Sequence, residues 1–177
     1  DEWFEVSPEV VKVVAAGINI SKESEGAFDM TVGPLVNLWH FGPDPGKKTI
    51  PETSRIEAAR KSVGYQHVIV RRDQPALKKL ISDVYLDLSA IAKGYAVDAV
   101  GELLESQEIE NYLVEIGGEM RVKGNNPEGN KWRIAVENPD SVERSIHQVI
   151  NVSDTAIATS GDYRNFFEKD GVKYSHT

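Results

Sequence analysis

The stretch that most constrains this chain is Tyr85-Leu86-Asp87-Leu88-Ser89-Ala90-Ile91-Ala92-Lys93-Gly94-Tyr95-Ala96-Val97-Asp98. Tyr85 and Leu86 close an apolar run after Ile81, which reads as a strand. From Val97 the apolar residues recur at helical spacing, through Val100, Leu103 and Leu104. Asp87 to Gly94 is then a strand-to-helix turn made mostly of small residues. Such a turn leaves backbone N–H groups free to meet an anion. Asp87 adds a carboxylate at the strand end and Lys93 a cation at the helix start. A plain cap is the competing reading: Asp87 or Ser89 can satisfy the helix start, and Lys93 can be a solvated surface cation. The stretch has neither the G-x-x-x-x-G-K-[ST] glycines of a P-loop nor a G-x-G-x-x-G.

The rest of the chain alternates helical and strand signals. Ser7-Pro8-Glu9 opens a helix carrying Val10, Val13, Val14 and Ile18, which ends between Glu23 and Gly26. Phe28, Met30 and Val32 alternate with Asp29 and Thr31, as in a short strand broken by Gly33-Pro34. Leu35, Leu38, Trp39 and Phe41 form an aromatic-apolar cluster. Trp39 and Phe41 could stack on a planar ring with Asp29 reading a polar edge, or be core. Asp44 to Lys48 is a polar loop, and Pro51 begins a helix that Gly64 ends. His67 to Arg71 is a strand in which His67 reads as structural, and Asp73-Gln74-Pro75 turns it. Tyr112 to Val122 reads as one strand interrupted by Gly117-Gly118, a bulge or a close approach of another group to the backbone. Glu115 and Glu119 flank that pair and read as solvated edge carboxylates. Strands follow at Trp132 to Val136 and His147 to Val152. Asp170-Gly171 marks a hairpin. Helices mixed with antiparallel-looking strands predict an α+β domain.

Composition narrows the partners. The 177 residues carry a formal net charge of -8, which argues against nucleic acid or an anionic membrane surface as the main partner. There is no cysteine, so disulfides, thiolate zinc sites and a cysteine nucleophile are excluded. No apolar run is long enough to span a membrane. The chain opens at Asp1 without a methionine and stops on Tyr174-Ser175-His176-Thr177. It is expected to be a single domain over residues 1–177, truncated at both ends.

Several motifs agree in order along the chain: Ala27 to Leu35, Trp39 with Phe41-Gly42-Pro43, Asp87 to Asp98, Val114 to Met120, Trp132 to Pro139, Ala156 to Asn165, and Tyr174 to Thr177. Together they resemble the ApbE family, the FAD:protein FMN transferases. The resemblance implies an α+β fold with a duplicated T-fold-like core, mostly antiparallel sheet and packed helices. It implies cleavage of FAD at its pyrophosphate, release of AMP, and attachment of FMN to a threonine of a target flavoprotein, with Mg²⁺ required. It assigns Ala27, Phe28, Asp29, Asp87 and Lys93 to FAD, the Ala90 carbonyl to Mg²⁺, and His176 to the role of base for the acceptor threonine. The flavin is expected to lie between the Ala27 to Asp29 strand end, the Trp39 region and the Asp87 to Lys93 turn, with Trp39 among its contacts. It further implies a parent on the periplasmic side of the bacterial inner membrane, lipid-anchored in many relatives. The family supplies an Asp and a Thr to the metal downstream of the histidine, and these fall outside this chain. An FAD pyrophosphatase and a non-catalytic FAD-binding protein are the alternatives.

Overall fold

The computed structural model describes residues 2–43, 46–139, 145–162 and 165–176. Asp44 and Pro45 of the expected polar loop, Tyr163 and Arg164 of the Ala156 to Asn165 motif, and the termini Asp1 and Thr177 lie outside the described residues. The chain divides into two compact units, Asp1–Ile91 with Phe167–His176, and Ala92–Phe166 with Thr177. The Tyr85 to Asp98 stretch is thus shared between them, with Ile91 the last residue of the first.

The first unit begins with strand β1 (Trp3–Glu5) and helix α1 (Pro8–Glu23). Ser7 caps α1 by accepting a hydrogen bond from Val10 N–H at 3.4 Å, with Pro8 in the first turn, as the sequence predicts. Its buried side includes Val11, Val14 and Ser21. Two shorter helices follow, α2 (Gly33–Leu38) and α3 (Thr53–Arg60). A 3₁₀ turn (Tyr65–His67) then leads into strands β2 (Val68–Arg71) and β3 (Ala76–Lys79). β3 lies between β1 and β2, antiparallel to both, with Leu77 opposite Phe4 and Val70. Val14, Met30, Val68, Leu77 and Val84 form the core, against which Phe28, Leu86 and Leu88 pack. Burying these apolar side chains supplies most of the unit's stability.

The second unit packs helix α4 (Ala92–Ser106) on strands β4 (Tyr112–Ile116) and β5 (Glu119–Lys123). Its core is Val97, Tyr112 and Val114, with Leu104 and Ile116 partly buried against them. Val100 and Leu103, counted in the expected apolar stripe, stay exposed. The line that turns inward is Val97, Gly101 and Leu104. Strands β6 (Trp132–Glu137) and β7 (Ile146–Val152) pair with a register shift at Val136/Glu137. Strand β8 (Thr155–Ile157) pairs with β5. A last hairpin, β9 (Phe166–Lys169) and β10 (Val172–Ser175), turns at Asp170-Gly171 as predicted, and from Phe167 onward belongs to the first unit. The α+β expectation is met: helices pack with small antiparallel sheets. No helix among the described residues is long and apolar enough to cross a membrane.

Four local readings differ from the sequence expectation. Residues 27–32 are a turn rather than a strand. Their backbone donors are spent locally, Thr31 N–H on the Asp29 carboxylate at 2.8 Å and Val32 N–H on the Asp29 carbonyl at 3.3 Å. Gly33-Pro34 does not merely end a segment but opens α2, a position where the missing proline N–H costs nothing. Tyr85 and Leu86 belong to no strand. Gly117-Gly118 is the turn of the β4–β5 hairpin, not a bulge within one strand. Its φ values of 58° and 97° are open to glycine and match the right-handed twist of the paired strands.

Candidate functional site

Within the first unit, the 27–32 turn is tied to two distant segments. Met30 carbonyl accepts the Asp87 N–H at 2.7 Å, which sets the Asp87 segment beside the Ala27 to Asp29 segment. Asp87 Oδ1 in turn accepts Ser89 N–H at 2.9 Å, an Asx-type turn leading toward Ala90. On the other side, Asp29 Oδ1 accepts from Thr31 N–H and from Thr31 Oγ1 at 2.7 Å, and Asp29 Oδ2 accepts Tyr65 N–H at 2.9 Å. Thr31 Oγ1 accepts Gly64 N–H at 2.6 Å. Ala27 is exposed. Phe28 N–H is held by Ser24 Oγ at 3.1 Å, while the Phe28 ring packs on the core. Of the residues the resemblance assigns to FAD, four therefore come together here: Ala27, Phe28, Asp29 and Asp87.

Trp39 belongs to a second cluster of the same unit. α2 ends with His40 at φ 56° and Phe41 N–H bonded back to the Val36 carbonyl at 3.0 Å. Trp39 stacks on Tyr174 with ring centroids 5.7 Å apart, and Phe167 stacks on Tyr174 at 5.1 Å. Phe41 lies 5.8 Å from Phe167 and 5.8 Å from the His176 ring, with the Lys48 ammonium 4.9 Å from its centroid. Separations of this kind stabilise aromatic pairs beyond simple burial. Trp39 is half-buried, lies outside the unit's buried core and spends ring surface on its aromatic neighbours. His176 is exposed at the end of β10, its ring against Phe41.

Lys93 stands in the second unit. Its ammonium is 2.6 Å from Glu119 Oε2, an ion pair without hydrogen-bond alignment, and donates to the Gly117 carbonyl at 3.1 Å. Glu119 is therefore not the solvated edge carboxylate expected from its place beside the glycine pair, since only 17% of its side chain is exposed. Glu115 is a turn group whose Oε1 accepts Gly118 N–H at 2.9 Å.

The same unit holds a charged network that sequence reasoning missed. Arg121 bridges Asp98 at 3.1 Å and Glu105 at 2.9 Å, and the Tyr112 hydroxyl donates to Glu105 at 2.6 Å. The Tyr112 hydrogen bond, aided by Lys123 and Arg121, holds the Glu105 carboxyl below its ordinary range. Burial and that same bond push the Tyr112 hydroxyl up. Only the i, i+7 spacing of Asp98 and Glu105 on α4 hints at this from sequence.

Among the described residues, no three His, Cys, Asp or Glu side chains converge where a metal ion could sit. Ala90 is exposed, and α4 begins two residues beyond it, at Ala92. One carbonyl does not make the octahedral oxygen shell that Mg²⁺ demands. The described residues do not by themselves complete a magnesium site.

Comparison with known proteins places the chain in a family. The chain matches the ApbE family over residues 1–177. It is 50% identical over 175 residues to the FAD:protein FMN transferase of Vibrio cholerae serotype O1, covering 99% of this chain and 52% of the relative. It is 43% identical over 176 residues to the FAD:protein FMN transferase of Haemophilus influenzae, covering 98% of this chain and 51% of that one. The solved flavin transferase ApbE from Vibrio cholerae superposes with a TM-score of 0.85 at 48% identity, covering 99% of this chain and 55% of the other. The chain therefore has the fold of the flavin transferases. It belongs to the ApbE family, and it spans about half the length of the curated relatives it matches.

Proposed function

We propose that the protein containing this chain transfers FMN from FAD to a threonine hydroxyl of a target flavoprotein and releases AMP. The observation that carries this reading is the identity to FAD:protein FMN transferases across 99% of the chain. The Met30–Asp87 hydrogen bond supports it, because it sets two segments assigned to FAD side by side. In this reaction the threonine oxygen attacks the phosphorus on the FMN side of the pyrophosphate. The bond from that phosphorus to the bridging oxygen breaks, and AMP leaves with that oxygen. His176 takes the hydroxyl proton, since a threonine hydroxyl is a weak nucleophile at neutral pH and histidine titrates near it. Its exposure at the end of β10 suits a base that must reach a residue of another protein.

The test is a product assay with FAD and an acceptor peptide. FMN on the threonine supports transfer, and FMN free in solution assigns the chemistry to a pyrophosphatase. His176→Ala should cost roughly two to four orders of magnitude in transfer rate with FAD affinity little changed. Near-normal transfer with weakened binding would move His176 into the binding site. Mg²⁺ dependence belongs to the same proposal. FAD titrations should show Mg²⁺ tightening binding strongly in a full-length relative and weakly in residues 1–177, and equal responses refute this. A location on the periplasmic side of the inner membrane, with a lipid-anchored parent, is proposed from the family alone.

A further inference from the structure

We propose that Asp29 and Thr31 form a positioning clip, and that Asp29 serves the flavin site through the backbone it holds rather than by touching FAD with its carboxylate. This rests on the flavin reading above and deepens it.

The 3₁₀ turn at Tyr65 needs an acceptor for its first N–H groups, and the residue before it, Gly64, offers no side-chain cap. Asp29 and Thr31 supply it from 36 and 33 residues away: Tyr65 N–H goes to Asp29 Oδ2 and Gly64 N–H to Thr31 Oγ1. The Thr31 hydroxyl passes the connection on by donating to Asp29 Oδ1. A carboxylate has about four lone-pair sites, and three donors already occupy those of Asp29. Gly64 sits at φ 147°, a conformation that L side chains rarely adopt, so the turn is shaped to present its N–H groups to the clip. Between the two clip residues, Met30 carbonyl holds Asp87. The clip therefore fixes the one segment that carries Ala27 and Phe28 on one side and anchors Asp87 on the other.

Thr31 makes this testable because it is 0% exposed and cannot meet a ligand. Any effect of its hydroxyl on FAD must travel through the segment it holds. The experiment compares Thr31→Val, Thr31→Ser, Asp29→Asn and the Asp29→Asn/Thr31→Val double variant in the full-length protein. FAD affinity is read by flavin fluorescence, FMN transfer as separate kcat and KM, and the clip by amide hydrogen exchange at Gly64 and Tyr65. Thr31→Val should speed exchange at Gly64 and weaken FAD binding about tenfold, with KM for FAD moving more than kcat, and Thr31→Ser should restore both. Misplacement of a site by a remote change is worth about that much or more. Asp29→Asn should have little further effect in the Thr31→Val background, since the two residues act as one unit.

Faster exchange at Gly64 with unchanged FAD affinity would overturn the proposal. So would an Asp29→Asn loss of the same size in both backgrounds, which would put the carboxylate on FAD. Should Thr31→Val not fold, Asp29→Asn against Thr31→Ser carries the comparison: equal FAD losses with Tyr65 still protected in both would overturn the clip. Wild-type protein that takes up no FAD would overturn the flavin reading, and the functional role of the clip with it. Slow exchange at Gly64 and Tyr65 would still report the clip's geometry in that case, so the two failures are distinguishable.

Discussion

Replacing Gly33 with alanine would put a Cβ inside the Tyr85 ring, 2.6 Å from Cε1 and overlapping Cδ1. Gly33 is buried at the start of α2 and Tyr85 lies two residues before Asp87, so the collision falls on the segment that carries the candidate site. The ring must swing out. A buried tyrosine hides about 150–250 Å². Tyr85 is 46% exposed, so roughly 100 Å² returns to water, worth about 2.5 kcal/mol at about 25 cal/mol per Å². The better helix propensity of alanine returns at most about 1 kcal/mol. The net loss is therefore roughly 1.5–2.5 kcal/mol, read as a lower urea midpoint at unchanged slope. Tyr85→Ala supplies the control. With no ring to displace, Gly33→Ala should add almost nothing in that background, a coupling of roughly 2 kcal/mol. An unchanged midpoint for Gly33→Ala, or losses that simply add, would refute the reasoning.

Three other outcomes follow from the packing and the charges. Met30→Ala removes a side chain only 1% exposed and should cost about 2–5 kcal/mol in urea unfolding, with FAD affinity falling too because the Met30 carbonyl holds Asp87. Gly117→Ala must take φ 58° with a Cβ 3.1 Å from Lys93 Cδ; it should destabilise the β4–β5 hairpin by about 1–2 kcal/mol and disturb the Lys93–Glu119 pair, seen as a shift of the Lys93 ammonium resonance. The third concerns acid: Glu105 is held low chiefly by Tyr112, so its contribution is present above an ordinary glutamate's 4.5 and is lost as pH falls through the lowered value. Tyr112→Phe should therefore lower stability at neutral pH and flatten the acid side of the stability profile, and an acid limb as steep as the wild type's would count against the pair.

Local chemistry was legible wherever it decided structure by itself. Ser7-Pro8 starts α1 because the cap and the proline act within one turn. Asp170-Gly171 makes a hairpin because both residues accept a left-handed backbone, at φ 53° and 75°. The Gly117-Gly118 pair carried the same information. It was hidden because glycine fits a bulge as well as a turn, and only the pairing of Ile116 with Glu119 separates the two. The alternation of Phe28, Met30 and Val32 suggested a strand because periodicity over so few residues cannot show where the backbone N–H groups go.

The sequence by itself determined the family and the mixed helix and sheet composition, and it singled out Asp29, Asp87, Lys93 and His176 as candidates, because motif order and residue chemistry are properties of the chain. Only the tertiary structure decided what those residues do to one another. It engaged the Asp29 carboxylate with Thr31 and Tyr65, set Asp87 on the Met30 carbonyl, paired Lys93 with Glu119 and rested His176 on Phe41. The physical reason is distance along the chain. A hydrogen bond spanning 36 residues, as from Tyr65 to Asp29, leaves no local signature, because its partner is chosen by how the core closes and not by its neighbours in sequence.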